Sequence, residues 1–176
     1  MEASQAKRDK YQEVIQGIPI ESLVYIDESG IELTICKDRG WGKKSEKLIT
    51  KKSGKHYERT NIIAELVNNK SIAPMIFNDS CTTDIFNNWV EHFLIKELKR
   101  GQVVIMDNAS FHKSQKTKLI IESVGCKVFF LPPYSPDLNP IEKFWANMKR
   151  WLEYNIINLP ELYNALTCFF KISNST

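Results

Sequence analysis

No apolar run in the chain approaches the ~20 residues that a membrane span needs. The N-terminal stretch MEASQAKRDKYQEVIQ is charged throughout and lacks the apolar centre of a signal peptide. Both absences point to an intracellular protein with no membrane partner. Cys36, Cys81, Cys126 and Cys168 are widely separated, and no pair has the close spacing of a zinc knuckle or a redox dithiol, so reduced thiols are expected. With seven glycines and seven prolines the chain is poor in the residues that dominate fibrous and disordered sequences. Repeats and low-complexity tracts are lacking too, and a net charge of +3 is too small to announce a nucleic-acid binder by itself.

What remains is an ordinary folding composition. A length of 176 residues with 43% hydrophobic side chains suits one domain with a sizeable core. Its charge is unevenly placed. Between Lys37 and Arg59 nine lysines and arginines stand against three acids, so the rest of the chain is net negative. That stretch includes Lys43, Lys44, Lys51 and Lys52 with Trp41, His56 and Tyr57, a mixture suited to a phosphate backbone and an occasional stacked base. A solvated lysine-rich loop explains the same residues.

Hydrophobic spacing predicts the elements. Tyr11, Val14, Ile15 and Ile18 mark a lead-in helix within residues 5–18. SLVYID and IELTICK read as a hairpin turning at ESG, with Asp27 ending its first strand. RTNIIAELV and SIAPMIF form a second hairpin around NNK, where Pro74 implies an edge or a bulge. A helix over 81–98, a buried strand over 101–107 ending in Asp107, a helix over 114–125 closed by Gly125 and a strand over 126–131 follow. Ile141, Phe144, Trp145, Met148, Trp151 and Leu152 define the apolar face of a helix from Pro140, and a last helix is expected over 158–172. This order describes an α/β domain with a central mixed sheet flanked by helices.

Three carboxylates carry the chemistry. Asp27 and Asp107 each close a buried strand, a place where aspartate also serves as a turn former. In LPPYSPDLNPIEKFW, Asn139 is a natural helix cap, and Glu142 stands at the third helical position, where a capping-box glutamate reaches back to the cap. Capping and catalysis are both open for it on these residues. Strands that are neighbours would gather all three acids, and gathered carboxylates repel unless a hard cation neutralises them. Oxygen-only ligation favours Mg2+ or Mn2+ over zinc. Two such ions can activate the attacking oxygen and stabilise the leaving one in a phosphoryl displacement. Glu28 follows Asp27, but strand alternation aims it to the opposite face; Asp137 is read as a turn residue.

YIDESG, VVIMDNASFHK and LPPYSPDLNPIEKFWANMKR resemble the three signatures of DDE transposases of the mariner superfamily, in particular its bacterial insertion-sequence branch. Thirty-four residues separate Asp107 from Glu142, a spacing similar to that family's. The resemblance implies a ribonuclease H-like fold in which Asp27, Asp107 and Glu142 bind two divalent ions, Mg2+ or Mn2+, with Asn108 and His112 beside them positioning metal water or a phosphate. It also implies double-stranded DNA as partner, cut at inverted-repeat ends and joined to a target, commonly at TA, by a homodimer working on the nucleoid in the bacterial cytoplasm.

The expected layout is a lead-in helix over 1–20 and a catalytic domain over 21–176, with no helix-turn-helix module ahead of it. A non-catalytic remnant, or an assembly or DNA-binding module of a split transposase, is the alternative. Neutralising Lys43, Lys44, Lys51 and Lys52 together should weaken DNA retention and flatten its dependence on salt, as measured by filter binding between 50 and about 200 mM salt; an unchanged slope would return the stretch to ordinary surface.

Overall fold

The computed structural model describes residues 4–31, 60–155 and 161–175. Basic residues 43, 44, 51 and 52, together with Trp41 and His56, lie outside them. The described elements are helix α1 (Gln5–Gln16), strands β1 (Leu23–Ile31), β2 (Thr60–Val67) and β3 (Lys70–Phe77), and helix α2 (Thr83–Trp89). A π-helical turn (Val90–Leu94) joins α2 to the short α3 (Ile95–Glu97), followed by β4 (Val103–Met106), α4 (Gln115–Ser123), β5 (Lys127–Phe130), α5 (Pro140–Asn155) and α6 (Leu162–Ser175).

The strands form one mixed sheet in the order β3-β2-β1-β4-β5. β1, β2 and β3 are antiparallel neighbours, while β1–β4 and β4–β5 are parallel. The expected α/β architecture is therefore present. One element differs from expectation: β1 does not turn at ESG but runs straight through Ser29 and Gly30 to Ile31. Its partner β2 supplies the reason, pairing continuously from Val24↔Val67 to Ile31↔Thr60 and burying Ser29 and Ile31. Tertiary pairing outweighs the weak turn preference of that tripeptide.

The second hairpin turns through Asn68 and Asn69 at φ 47° and 64°, left-handed values that asparagine tolerates and that match the twist of the strands. β3 is an edge strand, and opposite Ala64 it carries two residues, Ala73 at φ 45° and Pro74, in a bulge. Both meanings of Pro74 are realised. Gly125, at φ 80°, ends α4 as expected, and a Cβ there would come within 2.8 Å of Arg100 Cγ.

Alternation sorts the sheet's side chains into two layers. On one face Ile31, Ile62, Ala64 and Leu66 pack against Ile141, Trp145, Met148 and Leu152 of α5 and against α6. On the other, Val24, Ile26, Ile63, Val104 and Met106 meet Phe86, Trp89, Val90 and Leu94, with Ile121 of α4. Each buried aliphatic or aromatic side chain of this kind contributes about 1.5–3 kcal/mol. Trp89 keeps its polar atom satisfied by donating from Nε1 to the Ala73 carbonyl at 2.9 Å, which ties α2 to the bulge. Tyr11, Ile15 and Ile18 seat the N-terminal helix on Leu23, Val103, Ile105 and Leu131.

One core position breaks the pattern. Glu65 is 1% exposed and neither carboxyl oxygen has a hydrogen-bond partner among the described residues. Burial pushes its carboxyl up to about 9, with Glu97 adding to the rise. A raised carboxyl pKa means that the folded state holds a proton the unfolded chain releases, so stability falls as pH rises from about 4.5 to 9. Glu65→Met removes that dependence. It should raise the melting temperature more at pH 8 than at pH 5, the difference corresponding to a few kcal/mol, on the order of 2 to 4; equal shifts at both pH values in calorimetry would contradict this account.

Candidate active site

The parallel ladder between β1 and β4 pairs Leu23↔Val103, Val24↔Val104 and Tyr25↔Ile105 and then stops. Continuing that register by two residues brings Asp27 level with Asp107. Asp107 follows the last residue of β4, and Asp27 lies where β1 is held only by β2, opposite Ala64. Alternation places Asp27 on the side of Tyr25 and Ile31, the layer covered by α5. The strand order that was open in the sequence is thus the one that brings the first two acids together.

Glu142 arrives on the first turn of α5. The capping box suggested by its spacing does not form. The Asn139 N–H donates to the Pro136 carbonyl at 2.9 Å, so it is already engaged, and the Asn139 side-chain oxygen is buried without a partner among the described residues. Glu142 N–H bonds instead to the Asn139 carbonyl, as the first intrahelical bond. Packing of Ile141, Trp145 and Met148 under the helix leaves the Glu142 side chain exposed at its start.

Electrostatics register the gathering. Burial, then the charges of Glu28, Glu142 and Asp107, push the Asp27 carboxyl up to about 7, against one backbone hydrogen bond that lowers it. The neighbouring charges that act on Asp27 are all negative. Among the described residues no group of three or more His, Cys, Asp and Glu side chains is drawn together tightly enough to hold a metal ion. The acids share an electrostatic neighbourhood and not a closed coordination shell. An uncompensated, oxygen-only set of this kind fits a hard divalent cation, whose charge would relieve the repulsion that raises Asp27.

Asp107 behaves differently. Its Oδ1 accepts the Ala109 N–H at 2.8 Å and lies 2.6 Å from His112 Nδ1, and these contacts hold its carboxyl below the usual range. His112 is 1% exposed, and its Nε2 lies 2.8 Å from Glu28 Oε1. Burial alone would lower the imidazole, but hydrogen bonds to Asp107 and Glu28 win and lift it to about 9. Asn108 donates from Nδ2 to the Leu131 carbonyl, binding the end of β4 to the start of the proline loop. That loop carries Tyr134 at φ 56° and is further held by a bidentate ion pair between Arg8 of α1 and Asp137.

Of the residues singled out in the sequence, Asp27 does not end its strand as expected but lies within β1, which β2 carries on to Ile31; Asp107, Asn108 and His112 follow the end of β4, and Glu142 stands on the first turn of α5. Sequence reading missed two links: Glu28 to His112, which are 84 residues apart, and Arg8 to Asp137, 129 apart. The alternation that turns Glu28 from Asp27 was visible; that a buried imidazole would meet it on the other face was not. Cys81, Cys126 and Cys168 are free thiols, and no helix among the described residues is long and apolar enough to cross a membrane.

This five-stranded mixed sheet, with one acid within its central strand β1, one just past the end of β4 and one on a flanking helix, has the ribonuclease H-like fold of transposase and integrase catalytic domains. A family model described as DDE superfamily endonuclease matches residues 22–162, and the chain belongs to that family. Among solved structures it is similar to the mariner Mos1 paired-end complex with Mg, with a TM-score of 0.68 and 15% identity over 85% of this chain and 50% of that one. The catalytic domain of Mos1 mariner transposase aligns with a TM-score of 0.57 and 15% identity, over 85% of this chain and 73% of that one. An uncharacterized protein, y4pE/y4sA, of Sinorhizobium fredii (strain NBRC 101917 / NGR234) is 40% identical over 55 residues, 31% of this chain and 38% of that protein. The chain thus spans about half the length of the Mos1 transposase it matches.

Because Asp27 is raised from 3.8 to about 7, its folded form keeps a proton that the unfolded chain loses, and it subtracts stability increasingly as pH rises through that window. Asp27→Asn should raise the melting temperature at pH 8 by several degrees, about 3 to 8 °C, and change it little at pH 4. A drop at pH 8 in thermal melts would show that the acid is compensated by a partner in solution.

Proposed function

We propose that this chain is the catalytic part of a transposase, cutting DNA strands at element ends and transferring the freed 3′ hydroxyl into target DNA. The reading rests on one observation: on the central strand β1, Asp27 stands in register with Asp107 and under the negative charge of Glu142 and Asp107, with no cation acting on it among the described residues. In this reading residues 21–176 form the catalytic domain, and the 1–20 lead-in helix braces it through Tyr11, Ile15 and Ile18.

Asp27, Asp107 and Glu142 would hold two divalent ions, Mg2+ or Mn2+. Such a pair supplies charge stabilisation for both the attacking and the leaving oxygen of a phosphodiester. The chain's own part is orientation. The β1–β4 register sets the spacing of the two aspartates, the core under α5 holds the third acid, and the Asn108 bond to Leu131 keeps the loop between them in place. His112 has both ring nitrogens engaged and stands behind Asp107 as a support. Beyond Glu142, the outer stripe of α5 exposes Lys143, Asn147, Arg150 and Tyr154, at i, i+4, i+7 and i+11, a surface suited to a DNA backbone entering the site.

Double-stranded DNA is the partner: inverted-repeat ends as donor, and a target that includes TA. Two copies of the chain would process the two ends in the bacterial cytoplasm, on the nucleoid. The test is cleavage of supercoiled and inverted-repeat DNA with Mg2+ or Mn2+ by the native chain, Asp107→Asn and Glu142→Gln. Each variant should lose more activity than the roughly 10- to 100-fold that loss of an outer-sphere partner costs. DNA cutting that persists in chelator, or equal cutting by the variants, would remove the catalytic reading.

A further inference from the structure

The first signature, YIDESG, contains two adjacent acids, and β1 sends them to opposite faces of the sheet. Asp27 lies in the α5 layer. Glu28, opposite Ile63 of β2, enters the layer of Phe86, Met106 and Ile121. Buried in that layer, His112 is the only described side chain that bonds the Glu28 carboxylate.

The geometry at His112 is that of a bridge. Both of its nitrogens face carboxylate oxygens, Asp107 Oδ1 at 2.6 Å and Glu28 Oε1 at 2.8 Å. The ring therefore bridges the two acids, whichever of the paired groups carries each shared proton. Phe86 and Phe111 close on it edge to face, each with its centroid 4.5 Å from the imidazole, which prevents the ring from turning. Asp107 is thereby gripped through one oxygen. Its Oδ1 meets the His112 ring and the Ala109 N–H together, while Oδ2 has no hydrogen-bond partner among the described residues.

We propose that Glu28 is a positioning residue for the second acid: through the His112 ring it fixes the Asp107 carboxylate with Oδ2 presented to the cation, and it is not itself a ligand. This inference rests on the metal-dependent reading above. The consequence is mechanical. β1 then controls both aspartates, Asp27 directly from one face and Asp107 through Glu28 and His112 from the other. Since carboxylate orientation governs how well a cation is held, loosening the ring should weaken ion binding without altering the ligand set.

Reach, and not charge, is what this role requires of residue 28, and two substitutions separate them. Glu28→Gln loses the charge but keeps an oxygen at the same distance to accept from Nε2. Glu28→Asp keeps the charge and withdraws the oxygen by one methylene. Mn2+ binding to the DNA-free 176-residue chain can be followed by the electron-spin signal of the free ion, with thermal melts to verify folding. The expectation is that Glu28→Asp weakens Mn2+ by about tenfold and Glu28→Gln by no more than about threefold. In single-turnover cleavage the Glu28→Asp rate should recover at high Mn2+ with the KM for DNA unchanged. The opposite order, with Gln damaging and Asp harmless, would mean that Glu28 acts by its charge as a ligand and would overturn the clamp. So would folded variants that both bind Mn2+ as the native chain does. A native chain that takes up no Mn2+ fails at an earlier point, removing the metal-dependent reading itself.

Discussion

Everything at the site depends on the parallel ladder between β1 and β4. It is short, ending at Tyr25↔Ile105, and both strands carry an aspartate two residues beyond that last pair. The ladder therefore sets the separation of Asp27 and Asp107 by backbone hydrogen bonds, which are far stiffer than any side-chain contact between two groups that repel. A one-residue slip would turn one of them to the wrong face. The packing of Val104, Met106, Val24 and Ile26 on one side, and of Ile105 and Leu23 on the other, makes such a slip costly.

The molecule accepts like charges where hydrophobic burial can carry them. Asp27 is raised by its surroundings, and Glu65 is buried in the opposite layer with both oxygens unbonded. These two acids differ in what is near them. Asp27, on the face covered by α5, has Glu28, Glu142 and Asp107 acting on it, whereas for Glu65 the one acid acting among the described residues is Glu97. A cation would answer the first arrangement and a retained proton the second. Repulsion at functional sites is a common cause of lost stability.

The loop of prolines before α5 is explained by what holds it. Asn108 bonds its first carbonyl, Ser135 turns back to Pro133, and Arg8 reaches from the N-terminal helix to Asp137. Two of these contacts come from separate parts of the chain, the end of β4 and α1, the third is internal to the loop, and together they converge on the segment that delivers Glu142. Proline limits the loop's unfolded alternatives, and the contacts choose one of those left. Membership of the DDE superfamily endonuclease family accounts for the motifs; the contacts account for how they are held in place.

Much of this was readable before any coordinates. Period-two and helical spacing located the strands around Asp27 and Asp107 and the buried face of α5, because burial imposes those periods directly on composition. The asparagine turn, the bulge at Pro74 and the stop at Gly125 followed from local backbone chemistry, which neighbouring residues alone determine. Straight passage of β1 through ESG could not be read, since its cause is the β2 partner beyond residue 59. Nor could the failure of the capping box at Glu142, decided by a competing bond from the Asn139 N–H to Pro136. The histidine bridge between Glu28 and Asp107 lay still further out of sight: 84 residues separate its first contact, and only folding both strands into one sheet brings a histidine between two acids. Local periodicity and turn chemistry are written in the order of residues, whereas partners distant in the chain are selected by packing, and it was packing that decided which acids meet, which face each takes and what holds them there.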